Sequence, residues 1–195
     1  MTQAQWRRAE RDAKIAARLA TSADERAAIA ANVAAGLDAL IDFSAKPTIS
    51  LYWPFRGELD LRGWMASAHE RGAQIALPLV VAKGQALAFR PWFPGCAMTR
   101  GVWNIPIPAN GPEITPNVII APLVGYNEQN YRLGYGGGFF DRTIAGICGE
   151  RLVIGVGHPS AKTDGFIPHE HDIPMDVILL GGAPVYPQLA PVAFI

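Results

Sequence analysis

An α/β domain, with a mixed and mostly parallel sheet covered by helices on both faces, is what this sequence predicts, on three observations. Short apolar runs such as Val118–Ala121, Leu152–Val156 and Val177–Leu180 lack the polar alternation of a half-exposed strand and read as strands buried on both sides. Segments of helical character separate these runs along the chain, and alternation of that kind gives a three-layer arrangement. Half of the 195 residues are hydrophobic and 17% are charged, so the chain can bury a substantial core. With no internal repeat and no low-complexity linker, residues 1–195 read as a single domain.

The elements follow in order. Gln3 to Leu19 is rich in Ala, Arg and Glu without Gly or Pro, which predicts a helix. Its basic residues Arg7, Arg11, Lys14 and Arg18 recur every three or four positions and share one face. Glu10 precedes Lys14 by four residues, the spacing of a supporting ion pair. Ser22 with Glu25 three residues on forms a capping box for a second helix, whose stripe is Ile29, Val33, Leu37 and Leu40. Thr48–Trp53 is β-rich and stops at Pro54. Asp60 is the expected N-cap of a helix reaching Arg71, before Gly72. Gln74–Leu77 and Ala86–Phe89 are short strands. Residues 90–116 are dense in Pro and Gly and predict loops with one short strand at most. Phe139–Ile147 is a helix between the buried strands, and an irregular tail is expected from Gly181.

Composition narrows the function. Seventeen basic residues balance seventeen acidic ones, so the basic surplus expected of a nucleic-acid-binding protein is missing. Cys96 and Cys148 lie far apart and form neither a CxxC pair nor a disulfide framework; both are expected to be reduced packing residues. Residues 1–19 have no apolar signal-type core and no run is long enough to span a membrane, so a soluble, cytoplasmic protein is expected.

The densest motif is Arg132-Leu133-Gly134-Tyr135-Gly136-Gly137-Gly138-Phe139-Phe140-Asp141-Arg142. Four glycines in five positions allow backbone N–H groups to turn inward as an anion nest, with a helix N-terminus directly after them. Arg132 and Arg142 bracket the run and suit phosphate oxygens; Asp141 suits a hard cation such as Mg²⁺. The same residues also describe a tight turn flanked by solvated arginines, and physics alone leaves both open. A Walker A loop is excluded because no Gly-Lys-Ser/Thr follows, and a dinucleotide fingerprint fails because Phe139 stands at the third glycine.

This run, preceded by Pro122-Leu123-Val124-Gly125-Tyr126, resembles the signature of the 5-formyltetrahydrofolate cyclo-ligases. Weaker likenesses extend over most of the chain: the basic first helix, Tyr52-Trp53-Pro54 with Glu58, Leu77-Pro78-Leu79-Val80, and Ile167-Pro168-His169-Glu170-His171-Asp172-Ile173-Pro174-Met175-Asp176. The resemblance implies a three-layer fold similar to sugar-phosphate isomerases and CoA transferases. It implies an enzyme that uses ATP and Mg²⁺ to phosphorylate a formyl oxygen, after which a folate nitrogen attacks and phosphate leaves. ATP would contact Arg7, Arg11, Arg132, Leu133, Gly134, Tyr135, Gly136, Gly137, Gly138, Phe139 and Phe140. The reduced folate would meet Trp53, Glu58 and Tyr135 to Phe139. Arg132 and Asp141 would be catalytic, with Asp141 and Asp172 holding Mg²⁺. The expected partners are those two small molecules, with no nucleic acid or membrane, and the protein is expected to be a monomer.

Three positions depart from the family pattern. Arg7-x-x-x-Arg11 has arginine where a lysine usually opens the pair; Ile105-Pro106 replaces a Glu-Pro pair; residues 156–160, Val-Gly-His-Pro-Ser, lack an expected glutamine. A non-catalytic folate- or nucleotide-binding relative of the same fold is therefore the alternative, separated from the enzyme by turnover. Without the resemblance, Glu58 reads as an exposed loop carboxylate and Trp53 as packing. Lys14 and Arg18 are expected to face solvent, and His69 and His158 to have no catalytic role. His169-Glu170-His171-Asp172 lacks the H-E-x-x-H spacing and is not expected to bind zinc.

Overall fold

The computed structural model describes residues 1–188. Helix α1 (Gln3–Ala20) is capped by Thr2, whose side chain accepts from the Gln5 N–H. Helix α2 (Ala23–Leu40) begins with the expected Ser22/Glu25 capping box. Strand β1 (Thr48–Ser50) is followed by a loop and α3 (Arg62–Glu70). Next come β2 (Gln74–Val80), β3 (Leu87–Trp92), β4 (Met98–Arg100) and β5 (Pro106–Pro108). Then follow β6 (Val118–Pro122), β7 (Gly125–Tyr126), β8 (Arg132–Leu133), α4 (Phe139–Gly146), β9 (Leu152–Val156) and β10 (Val177–Leu179).

The central sheet runs β10-β9-β6-β1-β2-β3 and is parallel except for the antiparallel edge strand β3. Alternation along β6 divides the core between its two faces. Val118 and Ile120 pack with Val33 and Leu37 of α2 and with Trp64, Met65 and Ala68 of α3. Ile119 and Ala121 pack with Ile144 of α4, Met175 and Ile178 on the other side. Helices on both faces satisfy the apolar strands, which is why those strands show no polar alternation in sequence. Close approach is visible at Gly36, where a Cβ would sit 3.1 Å from a Leu179 methyl. Among the described residues no helix is long and apolar enough to cross a membrane.

Several expectations shift. The stripe of α2 buries Ala30, Val33 and Leu37, with Ile29 and Leu40 only half-buried. Asp60 is not the N-cap of α3: its carboxylate accepts from the Arg62 N–H at 3.1 Å and pairs with the Arg62 guanidinium, so helix starts one residue later than expected. Residues 90–116 hold the end of β3 and a small antiparallel ribbon of β4 and β5, rather than one short strand at most. The ribbon's connection passes through Trp103 and Asn104, both at positive φ, a geometry that composition does not announce. The tail is tied back where Val185 bridges Ile178; residues 189–195 of the expected tail lie outside the described residues.

Candidate active site

Strand order sets the location. From β1 the chain steps outward to β2 and β3, then returns to β6 on the other side of β1 and steps outward to β9 and β10. The loops leaving the C-terminal ends of β1 and β6 therefore diverge, and such a crevice is where open α/β sheets bind ligands. The first loop carries Trp53 and Glu58; the second leads into β7, β8 and the glycine run.

The β7–β8 ribbon aims Arg132. Its connecting loop is tied by the Asn127 side chain, which accepts from the Gln129 and Tyr131 N–H groups at 3.1 and 3.0 Å, with Asn130 at φ 59. Arg132 is thereby buried under β6, donating to the Pro122 carbonyl at 3.3 Å and to Asp141 Oδ2 at 3.2 Å. Asp141, in the first turn of α4, also accepts from the Ile173 N–H at 3.3 Å. That contact brings the segment carrying Asp172 against Asp141.

Helix α1 supplies a row of cations that cover the site. Arg7 donates to Asp172 Oδ2 at 2.9 Å and to the Ile167 carbonyl at 2.8 Å. Arg11 donates to the Gly134 carbonyl at 2.7 Å, and burial next to Arg7 lowers its guanidinium pKa. Lys14 reaches the Ser160 and Lys162 carbonyls at 2.7 and 2.6 Å. Arg18 is only 3% exposed and reaches the Arg56 carbonyl at 2.8 Å. The expectation that Lys14 and Arg18 face solvent is corrected: loop carbonyls distant in sequence fold over the whole stripe and replace water as acceptors.

The glycine run has the backbone that an anion nest needs at two places. Gly136 stands at φ 92 and Gly138 at φ 63, the latter as N-cap of α4 with no side-chain cap. The first N–H groups of α4 are thus left without a capping side chain. The loop is also crowded by cations: a Cβ on Gly136 would lie 3.2 Å from the Arg11 guanidinium carbon, and one on Gly138 3.2 Å from an Arg142 nitrogen. Arg142 donates to the Gly137 carbonyl at 2.7 Å. The Nε groups of Arg7 and Arg132 are buried without an acceptor among the described residues. A buried orphan donor is costly, and phosphate oxygens are suitable acceptors for both.

Glu58 is held next to this loop. Its Oε2 accepts from the Phe55 N–H at 2.9 Å and its Oε1 from the Tyr135 hydroxyl at 3.0 Å. Burial pushes the Glu58 carboxyl up to about 7, against the lowering effect of Arg18, these hydrogen bonds and Arg132. Burial, and then the Glu58 charge, push the Tyr135 phenol well above its ordinary value, so it remains a donor. Burial lowers the His158 pKa, and one ring nitrogen meets the Gly57 carbonyl at 2.9 Å.

The raised carboxyl has a consequence for stability. A folded-state pKa above the ordinary 4.5 means that folding is favoured most below that value and loses support as pH rises through about 7. Glu58→Gln does not titrate. Its stability relative to the parent therefore improves by about 2–3 kcal/mol between pH 4.5 and pH 8, read as the difference of two urea-unfolding curves at each pH. A pH-independent difference would show that Glu58 has an ordinary pKa.

Direct hydrogen bonds link Arg7 to Asp172, Arg11 to the Gly134 carbonyl, Arg132 to Asp141 and Tyr135 to Glu58, whereas Trp53 and Glu58 line different cavities. A cavity of about 590 Å³ is lined by Glu58, Asp60, Arg26, Arg62 and α2 alanines. Trp53 lines a second, of about 420 Å³, with Met98, Arg100 and Pro106, and Arg62 lies over its ring at 5.0 Å. Trp103, which sequence reasoning did not single out, is 59% exposed and meets Phe139 edge-on at 6.0 Å. No group of three His, Cys, Asp or Glu side chains suited to a metal occurs among the described residues.

Comparison with known proteins bears on family and fold. The chain is 27% identical over 152 residues to a 5-formyltetrahydrofolate cyclo-ligase of Haemophilus influenzae, covering 73% of this chain and 80% of that one. The fold matches a 5,10-methenyltetrahydrofolate synthetase from Mycoplasma pneumoniae with TM-score 0.75 at 22% identity, over 90% of this chain and 99% of the other. It also matches the synthetase from Aquifex aeolicus with TM-score 0.77 at 23% identity, over 96% and 98%. The model of the 5-formyltetrahydrofolate cyclo-ligase family matches residues 3–181, and the chain belongs to that family.

Proposed function

We propose that this protein is an ATP-dependent cyclo-ligase converting 5-formyltetrahydrofolate to 5,10-methenyltetrahydrofolate, with release of ADP and phosphate. The observation that carries the reading is Tyr135: it belongs to the glycine loop, and its hydroxyl donates to Glu58. A phosphate cradle and a carboxylate suited to a pterin's N–H groups are thus joined through one side chain, which would place a bound folate beside a bound nucleotide. Attack of that oxygen on the terminal phosphorus expels ADP. Attack of the second folate nitrogen on the activated carbon then closes the ring, the carbon–oxygen bond breaks, phosphate departs, and the nitrogen's proton passes to solvent.

The protein's contribution is placement and charge. Loop N–H groups from Gly134 to Gly138, with Arg7, Arg11 and Arg132, offset the phosphate charge, and Leu133, Phe139 and Phe140 shape the pocket around them. Glu58 and the Tyr135–Phe139 stretch orient the folate, and Trp53, which lines a separate cavity, is left out of that contact. Asp141 and Asp172 suit Mg²⁺: each offers hard carboxylate oxygens with lone pairs beyond those taken by Arg132 and Arg7, and Mg²⁺ commonly uses one or two carboxylates plus phosphates and water. Bound there, the ion would neutralise phosphate oxygens. The test is absorbance by the methenyl product. Product is expected only with ATP and Mg²⁺ together; equal product with EDTA and no nucleotide would refute the ligase.

A further inference from the structure

Arg18 is the most deeply buried charged side chain among the described residues, at 3% exposure, yet it forms no direct ion pair with a carboxylate there. A buried cation without a counter-ion is costly, so its surroundings should contain the compensation. Its Nε donates to the Arg56 carbonyl at 2.8 Å, its Nη2 donates to the Tyr135 hydroxyl oxygen, and its guanidinium lies 5.5 Å from the Tyr135 ring centre. That hydroxyl, holding one proton and two lone pairs, accepts from Arg18 and donates to Glu58 Oε1 at 3.0 Å. The chain Arg18–Tyr135–Glu58 is therefore an ion pair bridged by a phenol. Arg18 also pins the turn that carries Glu58, through the carbonyl two residues before it.

We infer that Arg18 is a positioning residue which, through the Tyr135 hydroxyl, holds Glu58 ionised and oriented as an acceptor, and so sets the strength and pH range of folate binding. The part concerning folate rests on the proposed function. The other charged or titratable groups around Glu58 are Tyr52 in the loop after β1, Asp60, Arg132 of β8, and Arg26 and Arg62 across the shared cavity. His158 touches the adjacent Gly57 carbonyl, and burial lowers its pKa. Of the cations, only Arg18 is linked to Glu58 through a single hydroxyl group, and it is the cation with the largest lowering effect on that carboxyl.

The experiment follows the Glu58 carboxyl carbon by NMR in protein labelled with ¹³C-glutamate, its signal assigned by its loss in Glu58→Gln. In Arg18→Met the midpoint is expected to rise by about one unit, leaving roughly tenfold less carboxylate at a given pH well below it. 5-Formyltetrahydrofolate should bind about fivefold more weakly at pH 7 and recover towards parental affinity at pH 9. Arg18→Lys, which keeps the charge, should show a smaller shift. Tyr135→Phe should shift the midpoint upwards as Arg18→Met does, with no additive effect in the double variant; it also carries the test if Arg18→Met does not fold. An unchanged midpoint in either single variant overturns the inference, as does an affinity loss of equal size at all pH values, the mark of a merely structural role. Absence of folate binding or turnover in the parent protein would instead strike the proposed function, and the midpoint would still decide whether Arg18 governs Glu58.

Discussion

Gly136→Val is expected to weaken ATP binding by about 100-fold or more and to remove turnover, while the protein still folds. Gly136 holds φ 92, and a branched side chain there would begin 3.2 Å from the Arg11 guanidinium. A left-handed backbone costs a branched residue ~1–2 kcal/mol, which a domain of this size tolerates. Displacing Arg11 and closing the nest would remove at least two charge-assisted hydrogen bonds, each worth ~1.5–3 kcal/mol. Gly72→Val is the control, because Gly72, on the turn after α3, has nearly the same φ, 93, and a Cβ there would meet nothing within 4 Å. Both variants should lose similar stability, and only Gly136→Val should lose nucleotide affinity in calorimetry. A folded Gly136→Val that binds ATP normally would show that this loop is not the phosphate site.

Much of this architecture is legible in the sequence because local rules and tertiary packing agree. Leu152–Val156 is a strand at both ends as expected, and Ser22/Glu25 starts α2 as the capping box predicts. The basic stripe of α1 is legible only as a stripe. Periodicity puts Arg7, Arg11, Lys14 and Arg18 on one face, but it cannot say what covers that face. Arg18 meets a carbonyl 38 residues away and Lys14 meets carbonyls 146 and 148 residues away, partners with no local signature. Asp60 misled for a related reason: an aspartate before a helix can bind the Arg62 side chain as readily as cap the backbone. The motif around Gly134–Gly138 brought Tyr135 and Glu58 into one hypothesis, but the bond between them depends on how the β1 and β6 loops converge. The separation of Trp53 from Glu58 into two cavities likewise depends on the β4–β5 ribbon, which composition alone does not foretell.

Asp141→Asn is expected to lower stability and to lose most turnover, for two separable reasons. The carboxylate and Arg132 form an ion pair at 3.2 Å with side-chain exposures of 12% and 6%. Removing one charge from such a pair leaves the other uncompensated, a loss of about 3 kcal/mol even though asparagine still offers Arg132 an oxygen. For a domain of this length that corresponds to a fall of roughly 6–12 °C in Tm. Adding Arg132→Met should return part of that stability, because the stranded cation is then gone and the two losses are not additive. Turnover should follow a different course: the double variant regains stability but no activity, and the Mg²⁺ concentration needed for half-maximal rate rises in Asp141→Asn. Thermal melts and Mg²⁺ titrations on the same preparations separate the roles. Unchanged Tm would show that the pair does not stabilise the fold, and an unchanged Mg²⁺ requirement would remove Asp141 from the proposed ion site.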